Sequence, residues 1–331
     1  MLSPLAPREA PYEAYWHFAA ERQRIFFCRQ AGEPGPWTSD PILQNNKFCN
    51  AYRASDRVSQ FLINNVIYTD LSPTPEDTIF RTLLFRLFNR IETWALVLDA
   101  HDGTPEWRDG WPQRAHLSKL LTEARNRKQA VFGGAYMIPP PGGVFGRTFE
   151  AKHDGYLELV NFLMQQLLPK VHTFKSLKGL YESLHDQPLI GNFMAYQLAT
   201  DLNYSDIWQF DENSFTMAGP GAERGIEKCF AAWGPSYEHV IMWMVDHQEQ
   251  ELPRLGYDPT QVWLWGRPLK AIDCQNLFCE TDKYCRVKHP ALTSNRTKIK
   301  ARFGSPNPEK IQYFYPPHWQ INHLIGVNHG R

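Results

Sequence analysis

The 331-residue chain has no net charge to steer it: 35 Lys and Arg are matched by 35 Asp and Glu. A uniform attraction to nucleic acid or to an anionic membrane is therefore excluded, and any such affinity has to come from local patches. No apolar stretch reaches the ~20 residues of a membrane span. Residues 1–10 hold no continuous apolar run of the kind found in a secretory leader. The six cysteines include no Cys-x-x-Cys pair and read as free thiols of a reducing cytoplasm. Cys274, Cys279 and Cys285 are close together, as iron–sulfur ligands are, but a fourth ligand is not evident. Neither metal nor cofactor is expected. No G-x-x-x-x-G-K-[ST] loop occurs, which excludes the phosphate loop of P-loop kinases. Strand-like alternation is scarce, and no internal repeat or low-complexity run is present.

What the chain does have is helical period and aromatic side chains. The latter make up 14% of the residues and fit either a large aromatic core or rings that stack on bases. Tyr12, Tyr15, Trp16 and Ala19 fall at i, i+3, i+4 and i+7, which predicts an amphipathic helix over 11–30, stopped by Gly32, Pro34, Gly35 and Pro36. Further helices are predicted over 56–68, 76–90 (opened by Thr74-Pro75), 116–128, 154–168, 175–185, 192–203 and 236–250. The fold is expected to be mainly α. "MIPPPGGVFGR" (137–147) is the best boundary, giving an N-terminal helical lobe over 1–150, a second lobe over 151–303 and a C-terminal extension over 304–331.

Five constellations could carry chemistry. "SLKGLYESLHDQPLIGNFMAYQLATDL" reads as helix, short hairpin, helix, with Gly191 at the start of the second helix. A helix start offers unpaired N–H groups and a positive dipole end to a phosphate; the simpler reading is an αα turn with a glycine cap. After it come Asp201, Asp206, Asp211 and Glu212. The spacing from Gly191 to Asp211 resembles helix-hairpin-helix DNA glycosylases, where a "PGxG" hairpin precedes a catalytic Asp. Here the hairpin is "PLIG", with Leu189 for the first glycine, and Phe193 stands where lyase-type members carry lysine, so a Schiff-base lyase is not expected. Third, "MAGPGAERGIEKCF" sets Gly219, Pro220 and Gly221 before a helix-like run carrying Arg224 and Lys228 on one face, a phosphate cradle or a tight turn. Fourth, Lys283–Arg302 holds seven Lys/Arg and no acid, a DNA-facing patch or a solvated tail. Fifth, residues 32–62 are dense in Pro, Trp and charge, with Arg53, Asp56 and Arg57 leading into a helix, and suit the rim of a site.

The fifth segment, "GEPGPWTSDPIL" with "FCNAYRASDR", followed by "PLIGNFMAYQLATDLNYS", "AGPGAERG" and "LFCETDKYCRV", resembles a phage-centred helical family. It is found as the helical domain of 5-hydroxymethyluracil DNA kinases and as stand-alone α-glutamyl/putrescinyl-thymine pyrophosphorylases, or amino acid:DNA transferases. The resemblance spans residues 12–303. It implies a helix-hairpin-helix glycosylase-like fold with two helical lobes around a DNA-binding cleft, working in the cytoplasm of an infected bacterium. It also implies an activity: a separate kinase activates the hydroxymethyl group of the base as a pyrophosphate ester, and the transferase replaces pyrophosphate with an amine from an amino acid or polyamine.

On that resemblance double-stranded DNA with a modified pyrimidine is the expected partner, alongside the amine donor and a functional link to the kinase, with no membrane. The base must leave the stack to react. Asp211 is expected to take the amine's proton, with Glu280 and Asp282 of "CETDKY" as a second acid. Arg53, Asp56, Arg57, Gly219, Gly221, Arg224 and Lys283 are expected around substrate and pyrophosphate, and Gly191, Asn192, Arg286, Lys298 and Lys300 on DNA. The competing expectations are base excision by a glycosylase and a non-catalytic DNA-binding partner of the kinase.

Overall fold

The computed structural model describes residues 5–69, 73–140, 142–292, 294–299, 301–304 and 311–326. Among them are thirteen α-helices and one two-stranded ribbon. In chain order these are β1 (Leu5–Pro7), α1 (Glu9–Gln30), α2 (Pro41–Asn45), α3 (Arg57–Leu62), α4 (Pro75–Phe88), α5 (Ile91–Ala100), α6 (Arg114–Asn126), α7 (Lys152–Leu167), α8 (Leu177–His185), α9 (Asn192–Asn203), α10 (Pro220–Cys229), β2 (Phe230–Trp233), α11 (Tyr237–Arg254), α12 (Pro259–Val262) and α13 (Ala271–Lys288). The mainly helical expectation holds. No described helix is long and apolar enough to cross a membrane.

The helices start where side chains can satisfy their free N–H groups. Asp40 accepts from Ile42 and Leu43 at the start of α2, Thr74 from Asp77 at α4, Ser176 from Gly179 at α8 and Ser236 from His239 at α11. Helix α4 ends at Asn89, whose φ of 49° turns the chain left-handed.

The chain divides into two compact units. The first takes in the described parts of 1–56 and 215–331. There β1 pairs antiparallel with β2, Leu5 opposite Trp233, and α1, α10 and α11 pack on α13. The core is largely aromatic: Tyr15 lies 4.5 Å from Phe278 and 5.1 Å from Trp16 between ring centres, and Tyr12 sits edge-on to Phe230 at 5.6 Å. The second unit is 57–214, with α4 against α7 and α9, α5 on α6, and α8 against α9. These units do not part at residue 150, because the N-terminal helix α1 finds its partner in α13, from the far end of the chain.

Helix α13 was not anticipated from sequence. It is buried on most of its circumference, with Ala271, Cys274, Leu277, Phe278, Glu280, Asp282 and Cys285 all inside, so it carries no single apolar stripe to betray it. Its contact with α10 is close enough to dictate sequence. A Cβ on Gly225 would stand 2.7 Å from the carbonyl carbon of Phe278, and one on Gly221 would stand 3.2 Å from the Cβ of Cys279. Gly225 lets the two helix backbones touch, and Gly221 makes room for the Cys279 side chain.

The second unit is organised around a buried ion pair. Arg86 on α4 grips Asp201 on α9 through Nε at 2.5 Å and Nη2 at 2.9 Å, and its Nη1 donates to Asn89 at 2.8 Å. Both side chains are essentially inaccessible, 1% and 0% exposed. The guanidinium also lies 4.6 Å from the ring centre of Tyr136.

Candidate active site

Helix α13 is the hub of the first unit because its polar residues recur at helical spacing. Asp273, Asn276, Glu280 and Tyr284 face the segment 40–56. Asp273 accepts from the N–H of Arg53 at 2.9 Å, Asn276 donates to the carbonyl of Asn50 at 3.1 Å, and Tyr284 donates to Asp40 at 2.6 Å. The fourth residue, Glu280, accepts from the N–H of Cys49 at 3.1 Å.

The next N–H along the chain, that of Asn50, donates to Asp56 at 2.8 Å. One peptide step thus holds two carboxylates. The side chain of Asn50 stitches the loop further, donating to the carbonyl of Ser55 at 2.6 Å and accepting from Arg22 of α1 at 2.9 Å. Lys283 lies 2.5 Å from the other oxygen of Glu280. Burial raises the pKa of Asp56 to about 6, assisted by the charge of Glu280 and opposed by the Asn50 N–H, Arg22 and Arg53. Burial works against the charge on Lys283, but Glu280 and the Cys49 thiol more than offset it, and its pKa lies above the ordinary lysine value.

Glu280 and Asp282 do not form one acid pair. Two residues apart on a helix, they point about 200° apart around its axis. Asp282 faces α10, where Arg224 at 3.3 Å, Lys228 at 2.8 Å and Arg286 at 2.5 Å converge on it. Burial alone would raise its pKa, but Lys228 and Arg286 outweigh burial and hold it below the usual carboxylate range. A carboxylate so held is a poor base. Asp282 organises cations.

The cations meet an open polar cavity of about 670 Å³, lined by Arg8, Pro220, Glu223, Arg224, Glu227 and Lys228 among others. Glu223 and Glu227 bring negative charge to the same wall, and burial with the charges of Glu227 and Glu238 raises the pKa of Glu223. Gly219 is the N-cap of α10 and Gly221 packs on Cys279. Gly221 therefore serves helix packing, as Gly225 does, and Arg224 is already paired with Asp282.

Other expected site residues fall elsewhere. Arg53 is 2% exposed within the first unit; Arg57 is exposed at the start of α3 in the second. Arg286 does not face outward: its side chain is 8% exposed, pairs with Asp282 and donates to the carbonyl of Lys298 at 3.0 Å. Lys298 itself is exposed, as are Lys288 and Arg296, and Lys300 lies outside the described residues. Among the described residues no group of three His, Cys, Asp or Glu is set to share a metal ion. Cys274, Cys279 and Cys285 are free thiols raised by burial to about 12, 11 and 12.

In the second unit α8 and α9 follow one another across a short connection, with Gly191 as the N-cap of α9. Leu189, at the position of the missing glycine, takes φ +68°, the left-handed region glycine favours. Gly191 and Asn192 are exposed, and a Cβ on Gly191 would meet nothing within 4 Å.

Asp211 is an exposed turn residue that accepts from the N–H of Asn213 at 3.0 Å. The preceding residue, Phe210, is tied by two 3.0 Å hydrogen bonds to Asn203 at the other end of α9. The twelve residues of that helix separate its ends by about 18 Å. The hairpin and Asp211 thus lie at opposite ends of one helix and do not converge. Asp201 is spent on Arg86, and Asp206 accepts from Tyr68 at 3.1 Å.

Sequence reading missed Arg22, the Cys49 amide and Asn50. The signal for Asn50 was present, an Asn and an Asp bracketing the short run "NAYRASD". The partner that completes it, Glu280, is remote in sequence.

The family described as the helical domain of 5-hmdU DNA kinase matches residues 9–294. Among curated proteins, the chain is similar to a 5-hmdU DNA kinase of Bacillus phage SP10, at 27% identity over 297 residues, covering 82% of this chain and 44% of that protein. The chain thus spans less than half the length of the curated relative it matches. No solved structure matches.

Proposed function

The chain belongs to the family of 5-hmdU DNA kinase helical domains, and from that premise we propose that it transfers an amine to an activated 5-hydroxymethyluracil in phage DNA. Family membership ties the chain to thymine hypermodification. The chain contains no phosphate loop of the P-loop kinase type, so we assign activation of the hydroxymethyl group to a separate kinase activity.

In the step we propose, the amine nitrogen attacks the 5-methylene carbon, a C–N bond forms, and the C–O bond to pyrophosphate breaks. The base leaves the stack to make room for both groups. The amine, mostly protonated near neutral pH, gives up a proton to a carboxylate. The observation that carries the assignment is the carboxylate pair on consecutive N–H groups: Asp56 is half-buried beside Glu280, and burial raises its pKa to about 6, nearer neutrality than an ordinary carboxylate and suited to a general base. Arg22 and Arg53 supply positive charge around it, with Lys283 beside Glu280, and stabilise the negative charge that develops on the leaving group. This moves the base from Asp211 to Asp56. In the second unit, the exposed start of α9 at Gly191 and Asn192 takes backbone phosphate; in the first, Lys288, Arg296 and Lys298 contribute a salt-sensitive contact to DNA.

The test is to incubate the protein with pyrophosphorylated 5-hydroxymethyluracil DNA and a pool of amino acids and polyamines, digest to nucleosides and weigh the products. An amino-linked thymidine supports transfer. Abasic sites indicate a glycosylase, and retention of DNA with neither product a binding module; either result overturns the proposal.

A further inference from the structure

The family match ends at residue 294, yet the described segment 311–326 folds back onto the loop that carries Asp56. Tyr315 is fully buried. Its hydroxyl is 2.8 Å from Oγ of Ser55, the residue before Asp56. Its ring packs edge-on to Trp265 at 5.8 Å and stacks on Trp319 at 5.8 Å. Asn322 clamps the same residue from both sides, accepting from the N–H of Tyr315 at 2.8 Å and donating to its carbonyl at 2.7 Å. The segment is anchored again where the Arg267 guanidinium lies 3.8 Å from the Trp319 ring centre and where Tyr313 meets Phe26 at 5.0 Å.

The loop is fixed from two other sides. Asp273 holds the N–H of Arg53, and the Tyr52 hydroxyl donates to the carbonyl of Arg267 at 2.6 Å. The contact with Tyr315 reaches the side chain of Ser55, the residue next to Asp56. Ser55 is held in turn through its carbonyl by the Asn50 side chain, and the backbone N–H of the same Asn50 holds the carboxylate.

We infer that Tyr315 is a positioning residue for Asp56, so that the carboxylate pair is completed by a segment outside the family domain. The inference rests on the reading of Asp56 as the base. The groups facing Asp56 are Arg22 from α1, Arg53 and Cys49 from its own loop, Glu280 from α13, and Tyr313 and Tyr315 from the returning segment. Tyr315→Phe leaves all their charges in place and removes one hydroxyl. The loop then loosens, water reaches Asp56, and the burial that favours its neutral form weakens.

The experiment is a carbon-detected titration of the Asp56 carboxyl in the ¹³C-labelled full chain, assigned with Asp56→Asn, together with amide exchange over residues 50–56. In Tyr315→Phe the midpoint is expected to fall by roughly half a unit or more, and exchange in the loop to quicken by about tenfold or more. Asn322→Ala, which loosens the segment without touching Ser55, is expected to shift both in the same direction. If both variants are folded and destabilised but midpoint and exchange stay at wild-type values, the residue is merely structural and the inference is overturned. A shifted midpoint with no transfer product would overturn the proposed function and leave the positioning role standing, so the two failures can be told apart.

Discussion

Asp56 and Glu280, from opposite ends of the chain, accept hydrogen bonds from the consecutive backbone N–H groups of Asn50 and Cys49 at 2.8 and 3.1 Å. Two carboxylates held one peptide apart repel, and the repulsion is relieved when one binds a proton. Burial and this neighbour together place the pKa of Asp56 at about 6, against 3.8 for the free residue. The sign of the linkage follows. The folded state binds the proton more tightly than the unfolded one, so the stability associated with this group is full at low pH and declines as pH rises from about 4 through about 6. Asp56→Asn removes that dependence. Urea denaturation from about pH 4.5 to 7.5 is expected to find the variant gaining on wild type as pH rises; parallel curves would contradict the placement of Asp56.

The Arg86–Asp201 pair predicts a different behaviour. It is bidentate and buried, so removing one partner strands a charge. Asp201→Asn is expected to cost about 3–5 kcal/mol of unfolding free energy, measurable as a lowered urea midpoint at constant slope. A loss below about 1 kcal/mol, the range of solvated surface pairs, would contradict the burial described for it.

The α10–α13 contact separates two glycines. The obstacle to a Cβ at Gly225 is the backbone of Phe278, whereas at Gly221 it is mainly the side chain of Cys279. Gly225→Ala is expected to destabilise by about 1–3 kcal/mol, the cost of forcing packed elements apart, with no rescue from side-chain changes on α13. Gly221→Ala is expected to be partly rescued by Cys279→Ala. Thermal denaturation of the single and double variants checks both; equal responses at the two positions would contradict the geometry.

Leu189 occupies left-handed backbone at φ +68°, which costs a non-glycine residue roughly 1 kcal/mol. Leu189→Gly is expected to leave stability unchanged or raise it by up to about 1 kcal/mol, whereas the neighbouring Ile190→Gly empties a buried site and lowers it. A large loss at Leu189 would mean that its side-chain packing outweighs the backbone strain.

The helices with one apolar face could be read from sequence, and α1, α4, α7, α8 and α9 lie close to where their periodicity puts them. The break between α8 and α9 was legible too, but the left-handed backbone at Leu189 was not, because the residue there is no glycine. Helix α13 was not, because Asp273, Glu280 and Asp282 sit inside it with partners from other elements, and burial on all sides erases periodicity. The candidate site was half legible for the same reason. Residue type and motif density pointed to Arg53, Asp56, Glu280 and Lys283, but spacing from Gly191 favoured Asp211, and spacing along a chain does not reveal that a helix holds two residues apart. Nor does it reveal that Asp282 is neutralised by Arg224, Lys228 and Arg286, or that Gly221 and Gly225 of "AGPGAERG" serve packing.

The most direct test of the account is the rate at which wild type and Asp56→Asn convert pyrophosphorylated 5-hydroxymethyluracil DNA to amino-linked thymidine, followed by nucleoside mass spectrometry. The account predicts that wild type forms the product and that the variant retains the DNA but reacts about 10²–10⁴-fold more slowly. Product formation by Asp56→Asn at the wild-type rate would contradict it.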